Sequence, residues 1–171
     1  MTNNMKRYFL FTFMLLLGCT IFAQPDKVYK SLKDVKNPAD VYILQLHNKR
    51  LKTIPREVFA MTNLRQLDLR GNRIAFLPDS ISQLQNLQRL ELSRNPLMAL
   101  PASMANMEQL RELVLWSTYV TELPPQFARL DGTLELLDLR HCPLMLDDQT
   151  AINKLLPSVK KLWDYACNCA D

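Results

Sequence analysis

Glycine is nearly missing from this sequence: three in 171 residues, none of them in a run that would cradle a phosphate. Histidine is scarcer, with only His47 and His141. No serine stands beside a plausible base, so a hydroxyl nucleophile has nothing to activate it. Neither sign of charge dominates. Twenty-one basic residues stand against 17 acidic ones, an excess too small to point to nucleic acid. These shortages argue against a catalytic centre, a resident cofactor, a metal and a small-molecule substrate.

What the chain has in abundance is leucine at fixed intervals. Val41, Leu64, Leu87 and Leu110 follow one another at a step of 23, and Leu134 comes one residue late. Behind each start stands Leu-x-Leu: Leu44 and Leu46, Leu67 and Leu69, Leu90 and Leu92, Leu113 and Leu115, Leu137 and Leu139. A further apolar residue follows at Leu51, Ile74, Leu97, Val120 and Leu144. Pro55, Pro78, Pro101 and Pro124 each come after an apolar neighbour. A fixed period in this range means stacked units, none able to bury its apolar face alone. Amphipathic helices are excluded, because Leu-x-Leu has period 2 and the prolines would break such helices at regular intervals.

The same frame fixes local structure. Leu-x-Leu puts two leucines on one face of a short strand and turns the residues between them to solvent. Strands of successive units then lie side by side, about 4.8 Å apart. The turn after each strand holds Lys49, Asn72, Asn95, Thr118 and Cys142. An asparagine amide there can bond buried backbone, a threonine can do part of that, and a lysine cannot accept at all. The first turn is therefore expected to be looser, or held by another group. Val58, Ile81, Met104 and Phe127, with Met61, Leu84, Met107 and Leu130, are expected to close the outer side onto the core. Proline, lacking an N–H, fits an outer segment that is extended or in short turns.

The stretch from Leu64 to Asn86 resembles the leucine-rich repeat family, in its 23-residue type with LPxxΦxxL on the outer side. The resemblance covers about residues 41–146 and implies an exported bacterial member. It implies an α/β solenoid, a horseshoe with a short parallel sheet on its concave face. The convex side would be irregular or short-helical, with helical caps at both ends. Larger bacterial members attach a catalytic domain to the array, and 171 residues leave no room for one.

Residues 1–23 read as a leader. Lys6 and Arg7 precede an apolar run from Tyr8 to Leu17, and Ile21-Phe22-Ala23 stands before Gln24-Pro25. That is the layout of a secretory signal, with cleavage after Ala23. Leu16-Leu17-Gly18-Cys19 also resembles a bacterial lipobox, so lipidation at Cys19, which would tether the chain to a membrane, is the alternative, and an uncleaved anchor helix is a third reading. Either of the first two takes the chain out of the cytoplasm, to the periplasm, the outer membrane surface or the exterior. Residues 24–40 form an N-terminal cap. Val28, Leu32 and Val35 fall at helical spacing with lysines largely elsewhere, which predicts a short amphipathic helix over the open end of the first unit. A basic helix on a membrane surface is the other reading. Residues 147–171 form the second cap, where Asp147 and Asp148 can cap a helix from about Gln149 to Leu156. Val159, Leu162 and Trp163 read as a degenerate sixth strand. Three cysteines follow the leader. Cys142 reads as a small buried residue. Cys167 and Cys169 look like the start of a cysteine-flanked C-terminal cap, but the family's later cysteines are missing, so no disulfide transfers. They stay open between an inert tail, a disulfide, and a metal or redox role.

Function is expected on the outward strand positions, which form four columns. The first reads Ile43, Gln66, Arg89, Glu112, Leu136 and the second Gln45, Asp68, Glu91, Val114, Asp138. The third reads His47, Arg70, Ser93, Trp116, Arg140 and the fourth Asn48, Gly71, Arg94, Ser117, His141. The two histidines fall four strand spacings apart, about 19 Å, too far to share a metal or a substrate atom. An exposed Trp with Arg nearby has the composition of an interface hot spot. Trp116 and Val114, both expected to be exposed, would anchor a protein partner. Arg70, Arg89, Arg94 and Arg140, with Asp68, Glu91, Glu112 and Asp138, would select it by charge. The competing reading pairs those charges with one another and lays Trp116 against a neighbouring stem.

Overall fold

The first leucine of each Leu-x-Leu centres a three-residue strand and the second follows directly after it, both drawn to one side while the backbone finds a partner in the next unit. The computed structural model describes residues 26–164. The leader with its Ala23 and Cys19 alternatives, and the Cys167–Cys169 pair, lie outside those residues. Seven strands make one parallel sheet in chain order. They are β1 (Val28–Tyr29), β2 (Ile43–Gln45), β3 (Gln66–Asp68), β4 (Arg89–Glu91), β5 (Glu112–Val114), β6 (Leu136–Asp138) and β7 (Lys160–Leu162). The register from β2 to β6 is that of the repeat: Leu44, Leu67, Leu90, Leu113 and Leu137 are successive partners. The sheet is open and does not close on itself, as in a leucine-rich repeat solenoid.

The core is the set of frame residues. All five unit starts and all ten strand leucines are buried, as are the eight outer residues from Val58 to Leu130. On the outer side each of the first four units makes a 3-10 helix of five or six residues, such as Arg56–Ala60 and Asp79–Gln83. Pro55, Pro78, Pro101 and Pro124 stand at the N-caps of these helices. Their missing N–H costs nothing there, since the first donors of a helix have no partner inside it.

The turn after each strand is held from within. Asn72 Nδ2 donates to the carbonyls of Leu46 (2.9 Å) and Leu69 (2.6 Å), while Oδ1 accepts from the Lys49 and Leu51 amides. Asn95 repeats this one unit on, with Leu69 and Leu92 carbonyls and the Ile74 amide. The Thr118 hydroxyl reaches a single carbonyl, that of Leu115 at 2.8 Å, and lies 3.4 Å from the Cys142 sulfur. The Cys142 thiol reaches the same carbonyl at 3.2 Å. Burial pushes that thiol's pKa up, against the hydrogen bonding of Thr118. The lysine of the first turn thus needs no acceptor of its own, because Asn72 of the next unit holds it.

The N-terminal cap differs from the helix expected over Val28–Val35. Val28 and Tyr29 instead pair with Ile43 and Leu44 as an extra strand, followed by one-turn 3-10 helices at Leu32–Asp34 and Pro38–Asp40. The open backbone edge of β2 satisfies more groups by pairing than a covering helix would. Ser31 and Asn37 side chains then cap the two short turns. At the other end, helix α1 (Leu146–Leu155) starts earlier than expected. Asp147 and Asp148 lie in its first turn, and the Asp148 carboxylate accepts from the Met145 amide at 2.8 Å. The sixth repeat strand forms as β7, in register with β6. Among the described residues no helix is long and apolar enough to cross a membrane.

Candidate functional site

The four columns lie on the sheet's outward face, and the backbone ladder runs past the strands to carry columns three and four. The Asn48, Gly71, Arg94 and Ser117 amides donate to the carbonyls of Arg70, Ser93, Trp116 and Arg140, each at 2.9 Å. His141, at the end of the row, donates instead to the Asp164 carboxylate at 2.5 Å. Every residue of column four is left-handed: Asn48 (φ 56°), Gly71 (67°), Arg94 (55°), Ser117 (58°) and His141 (57°). This common conformation was not read from the sequence, where only Gly71 and Asn48 hint at it.

Column two is less open than expected. Val114 is only 7% exposed, so it does not stand free as an anchor. Glu91 and Asp138 beside it are buried as well. Longer side chains on either side close over this column. Arg89 from column one pairs with both Glu91, at 3.5 Å, and Glu112. Arg140 from column three grips Asp138 through Nε (2.9 Å) and Nη2 (2.6 Å). Burial alone would raise the Asp138 carboxyl, but the hydrogen bonds and charge of Arg140 outweigh it and hold the pKa below the usual value. Asp68 pairs with His47 (3.1 Å) and Arg70 (3.5 Å). Glu91 also accepts from the Ser93 hydroxyl and amide. The charges therefore do pair with one another. Their exposure is lopsided, however: Arg70, Arg89 and Arg140 side chains keep 48%, 43% and 49% of their surface. Asp68, Glu91 and Asp138 line the floor while the guanidinium groups, and Glu112, face solvent.

Trp116 is half-buried. The Arg94 guanidinium lies 4.5 Å from its ring centroid. The His141 ring meets it edge-on, at 5.5 Å and 73°. His141 is in turn 3.3 Å from Asp164. Three successive units thus supply one cluster, and the left-handed turns at Arg94 and His141 aim those two side chains at the tryptophan between them. His47 lies in the first unit, far from this cluster, bound to Asp68. Among the described residues, no group of three or more His, Cys, Asp or Glu side chains gathers as a metal site would require. The depression over β2–β4 is shallow, about 120 Å³, and lined by Asp68, Arg70, Arg89 and Glu91 among others. A larger open groove of about 570 Å³ lies at the sheet's edge, lined by Arg94, Pro96, Tyr119, His141 and Pro143 among others.

Comparison with known proteins agrees with this architecture. A leucine-rich repeat protein of Leptospira interrogans is 26% identical with a TM-score of 0.52, over 82% of this chain and 47% of its own. An internalin from Listeria monocytogenes is similar in fold, at 22% identity and a TM-score of 0.54, over 71% of this chain and 32% of its own. The chain therefore spans less than half the length of either solved protein. None of the curated proteins matches it. The family model of the leucine-rich repeat region matches residues 8–167. With its 23-residue frame, buried leucine spine and asparagine-held turns, the chain belongs to the leucine-rich repeat family.

Proposed function

We propose that this protein is a non-catalytic binding module of the bacterial cell envelope or exterior that holds a protein partner on its concave face. The observation that carries the reading is Trp116, half-buried and fixed between Arg94 and His141. A large ring already held by its neighbours loses little freedom on binding, which is what makes such residues dominate interfaces. The cation–π contact is worth about 0.5–1 kcal/mol at a site this open, enough to order Arg94 and leave its N–H groups for a partner. Arg70, Arg89, Arg94 and Arg140 then present an outward positive layer above Asp68, Glu91 and Asp138. Glu112 shares Arg89 with Glu91. Val114 takes no direct part and supports the floor. Such a layer favours a partner surface with exposed carboxylates around an apolar contact. The leader in residues 1–23 supports export, with a lipid anchor at Cys19 as the alternative.

The test is capture from the native envelope on the immobilised full chain, read by quantitative mass spectrometry. Trp116→Ala and Arg94→Glu are compared with the parent after circular dichroism has shown intact folds. Loss of a hot spot worth about 2 kcal/mol lowers affinity roughly 30-fold. Undiminished capture by both folded variants removes the concave cluster from the site. The mass of the mature N-terminal peptide separates cleavage after Ala23 from a lipidated Cys19.

A further inference from the structure

The groove of about 570 Å³ at the sheet's edge is built from three repeat positions in units three to five. Arg94, Ser117 and His141 form its concave rim, with Asn95, Thr118 and Cys142 behind them. The far wall is Pro96, Tyr119 and Pro143, which hold one place in three successive units. Units one and two put Arg50 and Arg73 at that place, so the ring-lined wall exists only over units three to five. Tyr119 is 61% exposed there. Met98 and Phe76 are exposed too, but stand off that column and outside the groove.

The rim carries one cation with nothing to answer it. Arg70, Arg89 and Arg140 each meet a carboxylate on the concave face. His141 is taken up by Asp164, at 3.3 Å. Arg94 meets no carboxylate among the described residues. The Trp116 ring, its centroid 4.5 Å away, holds the Arg94 guanidinium in place. A guanidinium held against a ring keeps the N–H groups at its edge for a carboxylate, which it can bind through two parallel bonds. Ser117, exposed in the next unit, adds a hydroxyl donor about 4.8 Å along the row.

We propose that this groove takes an extended segment of the protein partner, with an Asp or Glu side chain on Arg94 and Ser117 and a large apolar side chain against Tyr119 and Pro143. It rests on the concave-face reading and names what the partner brings to that site. Charge complementarity chooses the acid, because Arg94 is the concave arginine left without one. A Lys or Arg at the same place would meet like charge and be rejected. The rings of the far wall choose the apolar neighbour. Units three to five span two strand spacings, about 10 Å, the length of about three extended residues. The acid and the apolar side chain therefore come from neighbouring positions of one segment. The volume is that of a cleft able to enclose both, within the range of about 300–1,000 Å³ that ligand sites span.

Selection from a library of short peptides, randomised at every position and blocked at both ends, tests this on the immobilised full chain. Blocked ends carry no charge, so only side chains are read. The parent is expected to enrich an Asp or Glu with a large apolar residue beside it or one place further on. Circular dichroism first shows each variant folded. Arg94→Gln is expected to lose the acidic preference and keep the apolar one, and Arg94→Glu to turn the acidic preference to Lys or Arg. Tyr119→Ala is expected to keep the acid and lose the apolar neighbour, while Gln83→Ala on the outer side changes neither. Calorimetric titration of an enriched peptide is expected to show about tenfold weaker binding to Arg94→Gln, as one charge-assisted hydrogen bond is worth. A parent that enriches no acid, an acidic preference that survives Arg94→Gln, or an apolar preference indifferent to Tyr119→Ala overturns the proposal. If native capture still depends on Trp116 in that case, the groove falls and the concave-face reading stands. Undiminished capture by folded Trp116→Ala and Arg94→Glu chains removes both.

Discussion

Asn72 is the residue through which the first two units are fastened together, and its removal is expected to release one of them before the rest. The side chain is 6% exposed and makes four bonds to backbone groups at Lys49, Leu51, Leu46 and Leu69. At about 1 kcal/mol net for each bond, Asn72→Ala loses about 4 kcal/mol. The amide of Lys49, an exposed residue, regains water, which reduces the loss to about 3 kcal/mol. Thr118→Ala removes one bond to the Leu115 carbonyl and should lose about 1 kcal/mol. Urea unfolding followed by circular dichroism gives both numbers. Because stacked units unfold partly one by one, the slope m should also fall if unit one detaches first. Hydrogen exchange gives the local readout. In Asn72→Ala the Lys49 and Leu51 amides should exchange early, while the Ile74 amide, held by Asn95, stays protected. An Asn72→Ala protein within 1 kcal/mol of the parent, or no more damaged than Thr118→Ala, would refute the claim that the asparagine bonds hold the turns.

Two further perturbations probe the concave face. The Asp138 carboxyl is held below its ordinary value of 3.8, so its contribution is present above that value. It is lost as pH falls through 3.8 toward the folded pKa. Asp138→Asn should cost about 2 kcal/mol at neutral pH and flatten that acid limb, whereas an unchanged limb in acid titrations by circular dichroism would discount the Arg140 pair. Gly71→Ala places a Cβ 2.1 Å from Asn48 Oδ1 at φ +67°. The exposed Asn48 side chain can swing away, so the left-handed backbone sets the cost, about 1–2 kcal/mol in thermal unfolding, and Gly71→Val should cost more.

The frame was legible because burial obeys it: every leucine that the 23-residue spacing selects as a unit start or strand residue is inside. The asparagine turns were legible for a similar reason, since few side chains both donate and accept. The N-terminal cap was not, because Val28, Leu32 and Val35 fit a helix as well as they fit a strand and two turns. A free sheet edge decided between them, and no local pattern records an edge. Val114 was misplaced because alternation gives only the direction of a side chain. Whether water reaches it depends on its neighbours, and Val114 stands between Glu91 and Asp138, which are themselves buried. Phe76 and Met98 stand off the repeat frame, so the periodicity that revealed the fold says nothing of them.

The left-handed row has a consequence for how this surface can change. Asn, Gly, Arg, Ser and His already share one backbone geometry there, so charge, size and hydrogen bonding at the rim are free to vary while the bend itself stays put. Branching at Cβ is what the bend rejects. A lineage of such arrays can therefore re-address itself to new ligands by swapping rim side chains one at a time, with valine, isoleucine and threonine screened out by backbone shape before any partner has been met.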